Sequence, residues 1–418
     1  MDSPRAAARE QPLEHRILLT ATLCLLAAGA VMVYSASSAR TLLEGQGDGS
    51  YYLVKYLMYG VLGFVAMQVV ARVDLRAVRD FTPALLGLSF VLLVAVKLPG
   101  VGVEVNGATR WVGAGPLQFQ PSELMKLALV LYAVRLLTDK PKLVLTLKGL
   151  ISPLGYVVAA ALLLIVSQPD LGTALVIGFT MMAILVAAGM PVKLLVRCAG
   201  AAVLLVTLFA LSEPYRRDRL ISFIDPWAHA ESIGFQSVQG QIAIGSGGLL
   251  GRGLGESVQK IFFLPEAHTD FILAVIGEEL GVVGIWALLF LYGLIAYAGL
   301  RAAKAAQTAY AKLLATAITS MIMCQALLNL FTVLGMAPLT GVPLPFISSG
   351  SSSLLVLLAA MGLLLNVASG RTTHLRAVRS GSGHGRRANR PAAAGPHRGG
   401  WHRGARGAGA GGRRRAAG

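Results

Sequence analysis

The sequence predicts an all-α, polytopic membrane protein with about ten transmembrane helices and one large extracytoplasmic loop before the eighth. Three observations carry that expectation. The apolar set makes up 55% of the 418 residues and 48 glycines come on top of it, well above the soluble norm of about half. Charged residues fall to 14%, where about 25% is usual, and mean hydropathy is +0.66. The apolar residues also come in long unbroken runs, without the alternation that a lipid-facing barrel requires. A soluble globular enzyme is therefore excluded.

A helix crossing about 30 Å of hydrocarbon needs about 20 apolar residues. Runs of this kind, some shorter or glycine-broken, occur at Ile17 to Tyr34, Tyr52 to Val70, Phe81 to Leu98, Leu124 to Leu137, Ile151 to Val166, Leu171 to Gly189, Leu194 to Leu211, Phe271 to Leu300, Leu313 to Leu334 and Leu354 to Ala368. Arg5, Arg9, His15 and Arg16 precede the first run. That run is too long for the apolar region of a cleaved signal peptide, so it reads as an uncleaved first helix.

Basic residues orient the bundle. Arg72, Arg76 and Arg79 follow the second run, Lys140, Lys142 and Lys148 the fourth, Lys193 and Arg197 the sixth, and Arg301, Lys304 and Lys312 the eighth. With even-numbered helices ending on basic loops, both termini are expected in the cytoplasm. Residues 1–16 are then a cytoplasmic segment, 17–369 the membrane domain and 370–418 a cytoplasmic tail. The loop 212–270 falls outside; its Ile233 to Gly248 portion reads either as a helix lying at the membrane surface or as an ordinary packed loop.

The net charge of +17 is mostly the tail, which carries twelve arginines and no acid after Ala368; without it the chain is at +5. Its Gly, Ala, Ser and Pro content cannot bury enough apolar surface to offset the entropy of ordering it. The tail is expected to be disordered, either a solvated segment that helps fix topology or one drawn to anionic lipid head groups or RNA, with membrane lipids and no specific nucleic acid among the expected partners. Cys24, Cys198 and Cys324 each sit within an apolar run and read as small buried hydrophobes.

Charged side chains at a bilayer are costly and face a cavity or each other. Glu123 and Lys126 share one helical face in Gln120-Pro121-Ser122-Glu123-Leu124-Met125-Lys126. Helix-opening proline and dipole account for the acid, whereas the ammonium needs an acidic partner or water. Two roles are open to Asp170 in Gln168-Pro169-Asp170: capping its helix or pairing with Lys126. Asp270 opens the eighth helix, and Glu278 and Glu279 follow about 12 Å deeper by helical rise, where they read as structural polar residues bonded to neighbouring helices. His268 is a lone imidazole with no second histidine at metal-ligand spacing, so no metal-ligand set is expected. Gly245 to Gly253 has neither phosphate-loop nor dinucleotide spacing, and no nucleophile-elbow or Cys–His arrangement occurs.

Together these residues resemble the SEDS family (shape, elongation, division and sporulation). The resemblance is carried by Asn106-Gly107-Ala108-Thr109-Arg110-Trp111, Gln120-Pro121-Ser122-Glu123, Gln168-Pro169-Asp170-Leu171-Gly172, Ile242 to Gly248, Leu264-Pro265-Glu266-Ala267-His268-Thr269-Asp270-Phe271, Gly277-Glu278-Glu279-Leu280-Gly281 and Pro343-Leu344-Pro345-Phe346-Ile347-Ser348-Ser349-Gly350. It spans Ile17 to Ala368, and Phe223 to Trp227 with Gly251 to Gly255 look closer to the FtsW-like division or sporulation branch than to the RodA-like one. The resemblance implies ten helices and a glycosyltransferase that polymerises lipid II into peptidoglycan strands at the division septum of a bacterial cytoplasmic membrane. It implies a class B penicillin-binding protein and other divisome proteins as partners. By motif the essential aspartate falls on Asp270, and polar positions of the outward cavity fall on Glu123, Lys126 and Asp170.

The chemistry agrees with that assignment. An acceptor hydroxyl needs one carboxylate as general base, the role assigned to Asp270. Inversion from an alpha donor bond to a beta product bond needs no covalent intermediate. Cations should meet the leaving pyrophosphate: Arg110, Lys126, Arg216, Arg217 and Arg252 are the candidates, with or without a divalent ion, magnesium or manganese. His268, Ser348 and Ser349 complete the expected substrate-binding set. Ser351-Ser352-Ser353 replaces the usual second glycine and serines, a departure expected to be tolerated. Two rival readings are a lipid II flippase, which would carry its charges at the midplane, and a non-catalytic division scaffold, which would not need Asp270.

Overall fold

In the computed structural model, the described residues are 11–43, 49–105, 108–114, 117–211, 214–261, 264 and 267–370. Helices α1 (Leu13–Leu43), α2 (Tyr51–Val70) and α3 (Leu75–Ala95) come first. Strands β1 (Gly102–Val105), β2 (Ala108–Ala114) and β3 (Leu117–Phe119) follow. Then come α4 (Pro121–Asp139), α5 (Leu147–Leu150), α6 (Tyr156–Val166), α7 (Leu171–Ala187), α8 (Val192–Leu211), α9 (Pro214–Ile224), α10 (Phe235–Gly247), α11 (Ile272–Ala305), α12 (Ala309–Val333) and α13 (Ser351–Ala368).

Each apolar run read from the sequence lies on a helix. Among the described residues, seven helical stretches are long and apolar enough to cross a membrane by length and composition; they are built on α1, α2, α3, α5 with α6, α11, α12 and α13. The shorter apolar α7 has 17 residues. The polar ends explain the boundaries. Pro121 opens α4 three residues before the apolar run. Asp170 caps α7 by accepting from the Thr173 N–H at 3.2 Å, and Thr308 caps α12 by accepting from the Ala311 N–H at 3.1 Å.

Two local expectations are corrected. The connection 99–123, read as a loop, carries an antiparallel sheet ordered β1-β2-β3. Its Val103, Thr109, Trp111, Val112 and Phe119 supply the branched and aromatic side chains that strands favour. The segment 233–248 carries the helix α10, which packs one face on protein: Ser237, Val238, Gly240, Ala243 and Gly247 are buried, with Gly240 against the Phe271 ring and Gly247 against the Gly277 carbonyl of α11.

Helix α11 is interrupted at Gly281, whose φ of +65° and ψ of −163° are left to glycine. Segment 248–253 fills the break. The N–H groups of Arg252 and Gly253 donate to the carbonyls of Glu278 and Glu279 at 3.0 Å each, and those of Val282 and Val283 donate to the carbonyls of Gly248 and Leu249 at 3.0 and 3.2 Å. In an unbroken helix those carbonyls would take the 282 and 283 N–H groups, so the inserted chain splits two helical bonds and satisfies all four ends. A Cβ on Gly251 would lie 2.1 Å from the Glu279 carbonyl oxygen.

At the other end of the bundle α13 closes on α2. The buried Asn366 side chain donates through Nδ2 to the carbonyls of Val70 at 3.2 Å and Val73 at 2.6 Å, tying the C-terminus of one helix to the exit of the other. The tail 371–418 and its expected disorder lie outside the described residues.

Candidate functional site

Segment 338–350, between α12 and α13, is a wall against which Asp270, His268 and the polar face of α12 pack. α12 faces it with Gln325, Asn329 and Thr332, spaced i, i+4 and i+7, all buried. Gln325 donates to the Pro343 carbonyl at 2.9 Å and to Ser353 Oγ at 3.2 Å. Asn329 donates to the carbonyls of Val342 and Asp270, both at 2.8 Å. Thr332 bonds to the Pro338 carbonyl at 3.3 Å and meets the Thr340 hydroxyl at 3.2 Å.

Glu123 and Lys126 lie on one face of α4 as their spacing requires. Lys126 Nζ donates to Glu123 Oε2 at 2.7 Å and to Gln325 Oε1 at 2.6 Å, with 1% of its side chain exposed. Both charges are therefore satisfied within protein, and removing one would strand the other, a cost of about 3–5 kcal/mol. The alternative pairing of Lys126 with Asp170 is not what the structure holds. Asp170 Oδ2 instead accepts from Ser122 Oγ at 2.8 Å and Gln120 Nε2 at 2.9 Å while Oδ1 caps α7, so the acid is fully used in joining the starts of α4 and α7.

Arg110, on β2, reaches the same junction. Its Nε donates to the Gln168 carbonyl at 2.9 Å and its Nη2 to the Pro169 carbonyl at 2.6 Å, so the guanidinium fastens the small sheet to the turn before α7. Across the junction the departing serines act as tethers: Ser352 Oγ accepts from the Gln120 N–H at 2.9 Å. They begin α13 and bind it to α4 and α12.

Asp270 lies in the turn 267–271, two residues ahead of α11, whose N-cap position is Phe271. It thus does not open the helix as expected. It is half-buried, and Gly341, with φ of +67°, comes so close that a Cβ there would sit 3.3 Å from Asp270 Oδ2. His268 is buried with its ring 4.1 Å from that of Tyr52, and its carbonyl accepts from the Ser349 N–H at 3.1 Å. Ser348 Oγ accepts from the Leu344 N–H at 2.8 Å, closing the turn 344–348. Ser349 Oγ and Asn329 Oδ1 are buried with no hydrogen-bond partner.

Glu278 and Glu279 stand apart from this wall. Glu278 accepts from Ser257 Oγ at 2.6 Å, the Val258 N–H at 3.1 Å and the Gln259 N–H at 3.4 Å, with Arg252 Nη1 at 3.4 Å. Glu279 accepts from Ser35 Oγ at 2.7 Å and from Lys260 Nζ at 2.8 Å. The pair therefore anchors the loop and α1 to the break in α11. Arg217 is exposed on α9, and the Arg216 side chain lies outside the described residues, as do Asn106, Gly107, Pro265 and Glu266. Among the described residues no group of three or more His, Cys, Asp or Glu is arranged to hold a metal.

A family profile described as cell cycle protein, covering FtsW, RodA and SpoVE, matches residues 16–373. The chain belongs to this family. A "probable peptidoglycan glycosyltransferase FtsW" of Geobacter sulfurreducens is 39% identical over 352 residues, spanning 84% of this chain and 94% of the relative. Stage V sporulation protein E of Bacillus subtilis is 39% identical over 353 residues, spanning 84% and 96%. Among solved structures, the rod shape determining protein RodA of Thermus thermophilus superposes with a TM-score of 0.61 at 30% identity, covering 85% of this chain and 96% of that one. A structure titled for the coordination of polymerization and crosslinking by a peptidoglycan synthase complex gives 0.71 at 31% identity, covering 85% and 97%. As an FtsW, RodA and SpoVE family chain with several apolar helices of spanning length, it is a multi-pass membrane protein.

Sequence reasoning missed Gln325, Asn329, Thr332 and Lys260. The first three did leave a signal, polar residues repeating at helical spacing inside an apolar run. Lys260 left none, because its partner Glu279 is 19 residues away across an irregular loop.

Proposed function

We propose that this chain is a peptidoglycan glycosyltransferase of the division or sporulation type, polymerising lipid II at the outer face of the cytoplasmic membrane. One observation carries the reading: the half-buried Asp270 carboxylate sits in a turn against Gly341, on a wall shared by polar groups of α4, α12 and α13. The names of the relatives and the likeness to a peptidoglycan synthase complex support the same activity.

The reaction asks little covalent chemistry of the protein. Asp270 takes the proton of the acceptor sugar hydroxyl as its oxygen attacks the anomeric carbon of the donor. The new beta bond forms as the alpha bond to undecaprenyl pyrophosphate breaks, and the leaving group carries the charge away. Arg217 and Arg252, both exposed, are the cations open to that pyrophosphate, while Arg110 and Lys126 hold the surrounding elements through the bonds described above. His268, Ser348 and Ser349 shape the wall beside Asp270. Magnesium or manganese, where present, would be held by one or two carboxylates together with the pyrophosphate oxygens, and no step is routed through an ion.

The likeness to a synthase complex supports a penicillin-binding protein as partner; the finer reading is a class B transpeptidase within the divisome, at the septum, with both termini cytoplasmic. Purified protein, alone and with that partner, incubated with labelled lipid II is expected to give glycan polymer, and Asp270→Ala to abolish it. Transfer of labelled lipid between leaflets without polymer would favour the flippase, and an Asp270→Ala protein that polymerises as well as wild type would refute the assignment.

A further inference from the structure

On the polar face of α12, Asn329 touches the Asp270 residue itself. Asn329 is 1% exposed, and its Nδ2 donates to two backbone carbonyls at 2.8 Å, that of Asp270 and that of Val342. Both partners only accept, so the side-chain amide has to turn its NH₂ toward them, which leaves Oδ1 buried with no partner. Val342 is the neighbour of Gly341, the residue that lies against the Asp270 carboxylate. One side chain thus holds both sides of the contact, the peptide that carries the acid and the strand of chain packed on its carboxylate.

We infer that Asn329 is a positioning residue for Asp270, fixing the direction in which its carboxylate meets the acceptor hydroxyl. The inference rests on the glycosyltransferase reading. Proton transfer needs the carboxylate held to a close tolerance, since misplacement by about 1 Å costs about 100-fold in rate, and the turn 267–271 that carries it precedes α11. The Asn329 amide supplies that constraint from a packed helix. Its second carbonyl makes the arrangement self-consistent, since a shift of the wall carries Asp270 with it.

The structure supplies a matched control. Asn366 is also buried and also clamps two backbone carbonyls through Nδ2, at the opposite end of the bundle. Asn329→Ala and Asn366→Ala therefore remove the same bonds and the same volume. In lipid II polymerisation by the purified full chain, with its transpeptidase where that is required, Asn329→Ala is expected to lower kcat roughly 10- to 100-fold with KM within about twofold. Asn366→Ala is expected to keep the wild-type kcat while shifting the thermal unfolding midpoint by a similar amount. If alanine at 329 prevents folding, Asn329→Ser keeps a donor too short to reach both carbonyls and should show the same kcat loss. A wild-type kcat per folded molecule in the Asn329 variants overturns the inference, as does an equal kcat loss in Asn366→Ala. Wild-type protein that binds lipid II but makes no polymer would instead bring down the glycosyltransferase reading, and this inference with it.

Discussion

Two acidic regions lie within ten residues of each other, and they differ in what surrounds the carboxylates. Glu278 and Glu279 are fully buried and each accepts several bonds from the loop, α1 or a lysine. Asp270 is half-buried in a turn, where its carbonyl accepts from Asn329 and its carboxylate lies against Gly341. A carboxylate saturated by fixed donors is spent on structure, because giving up those bonds to take a proton would leave several buried donors unsatisfied. One that is half-buried keeps part of its surface open to a substrate. The contrast supports the chemistry proposed for Asp270 and the structural reading of the pair beside Gly281.

The largest expected effect tests the chemical side. Asp270→Asn should slow polymerisation by about 10²–10⁴-fold while leaving the thermal unfolding midpoint near that of wild type; a large drop in stability instead would move Asp270 into the structural class. Next comes the structural side. Glu279→Leu strands the Lys260 ammonium, which is 4% exposed, and should cost about 3–5 kcal/mol, measured by denaturation in detergent, with the rate per folded molecule preserved. Adding Lys260→Met to that variant should recover much of the loss, since no unpaired charge then remains buried. If the double variant stays as unstable as the single one, the ion pair is not what anchors the loop.

Smaller effects sharpen the boundary between the regions. Gly281→Ala forces a side chain into a positive-φ position and against Gly251 N at 2.4 Å, so it should cost at least about 1–3 kcal/mol and loosen segment 248–253, readable as faster amide exchange there. Arg252→Ala should change stability by less than about 1 kcal/mol, because its pair with Glu278 is 3.4 Å long and the arginine side chain is 44% exposed. A marked loss of polymer in that last variant, with stability intact, would show that Arg252 serves the pyrophosphate rather than the break.

Much of the fold was legible in the sequence because a bilayer imposes a one-dimensional rule: a segment either has enough apolar length or it does not. That rule placed a helix on every run from Ile17 to Ala368, and the positions of Pro121, Asp170 and Thr308 mark where helices begin by local capping chemistry. It missed the small sheet at 102–119, whose short strands are decided by pairing with one another. It left 233–248 open between a surface helix and a packed loop, since a mixture of glutamines and apolar residues suits either.

The sequence by itself determined the class of protein, the spacing that puts Glu123 beside Lys126, and the presence of costly acids that demanded partners. Only the tertiary structure decided which partners they have. Lys126 took Gln325 from α12, Asp170 took Ser122 and Gln120, Glu279 took Lys260 and Ser35, and the Asp270 carbonyl took Asn329. The physical reason is that desolvation penalises every unpaired charge alike, so the sequence shows the need, whereas hydrogen bonds reach only about 3 Å and their pairing depends on which distant segments the packed helices bring within that distance.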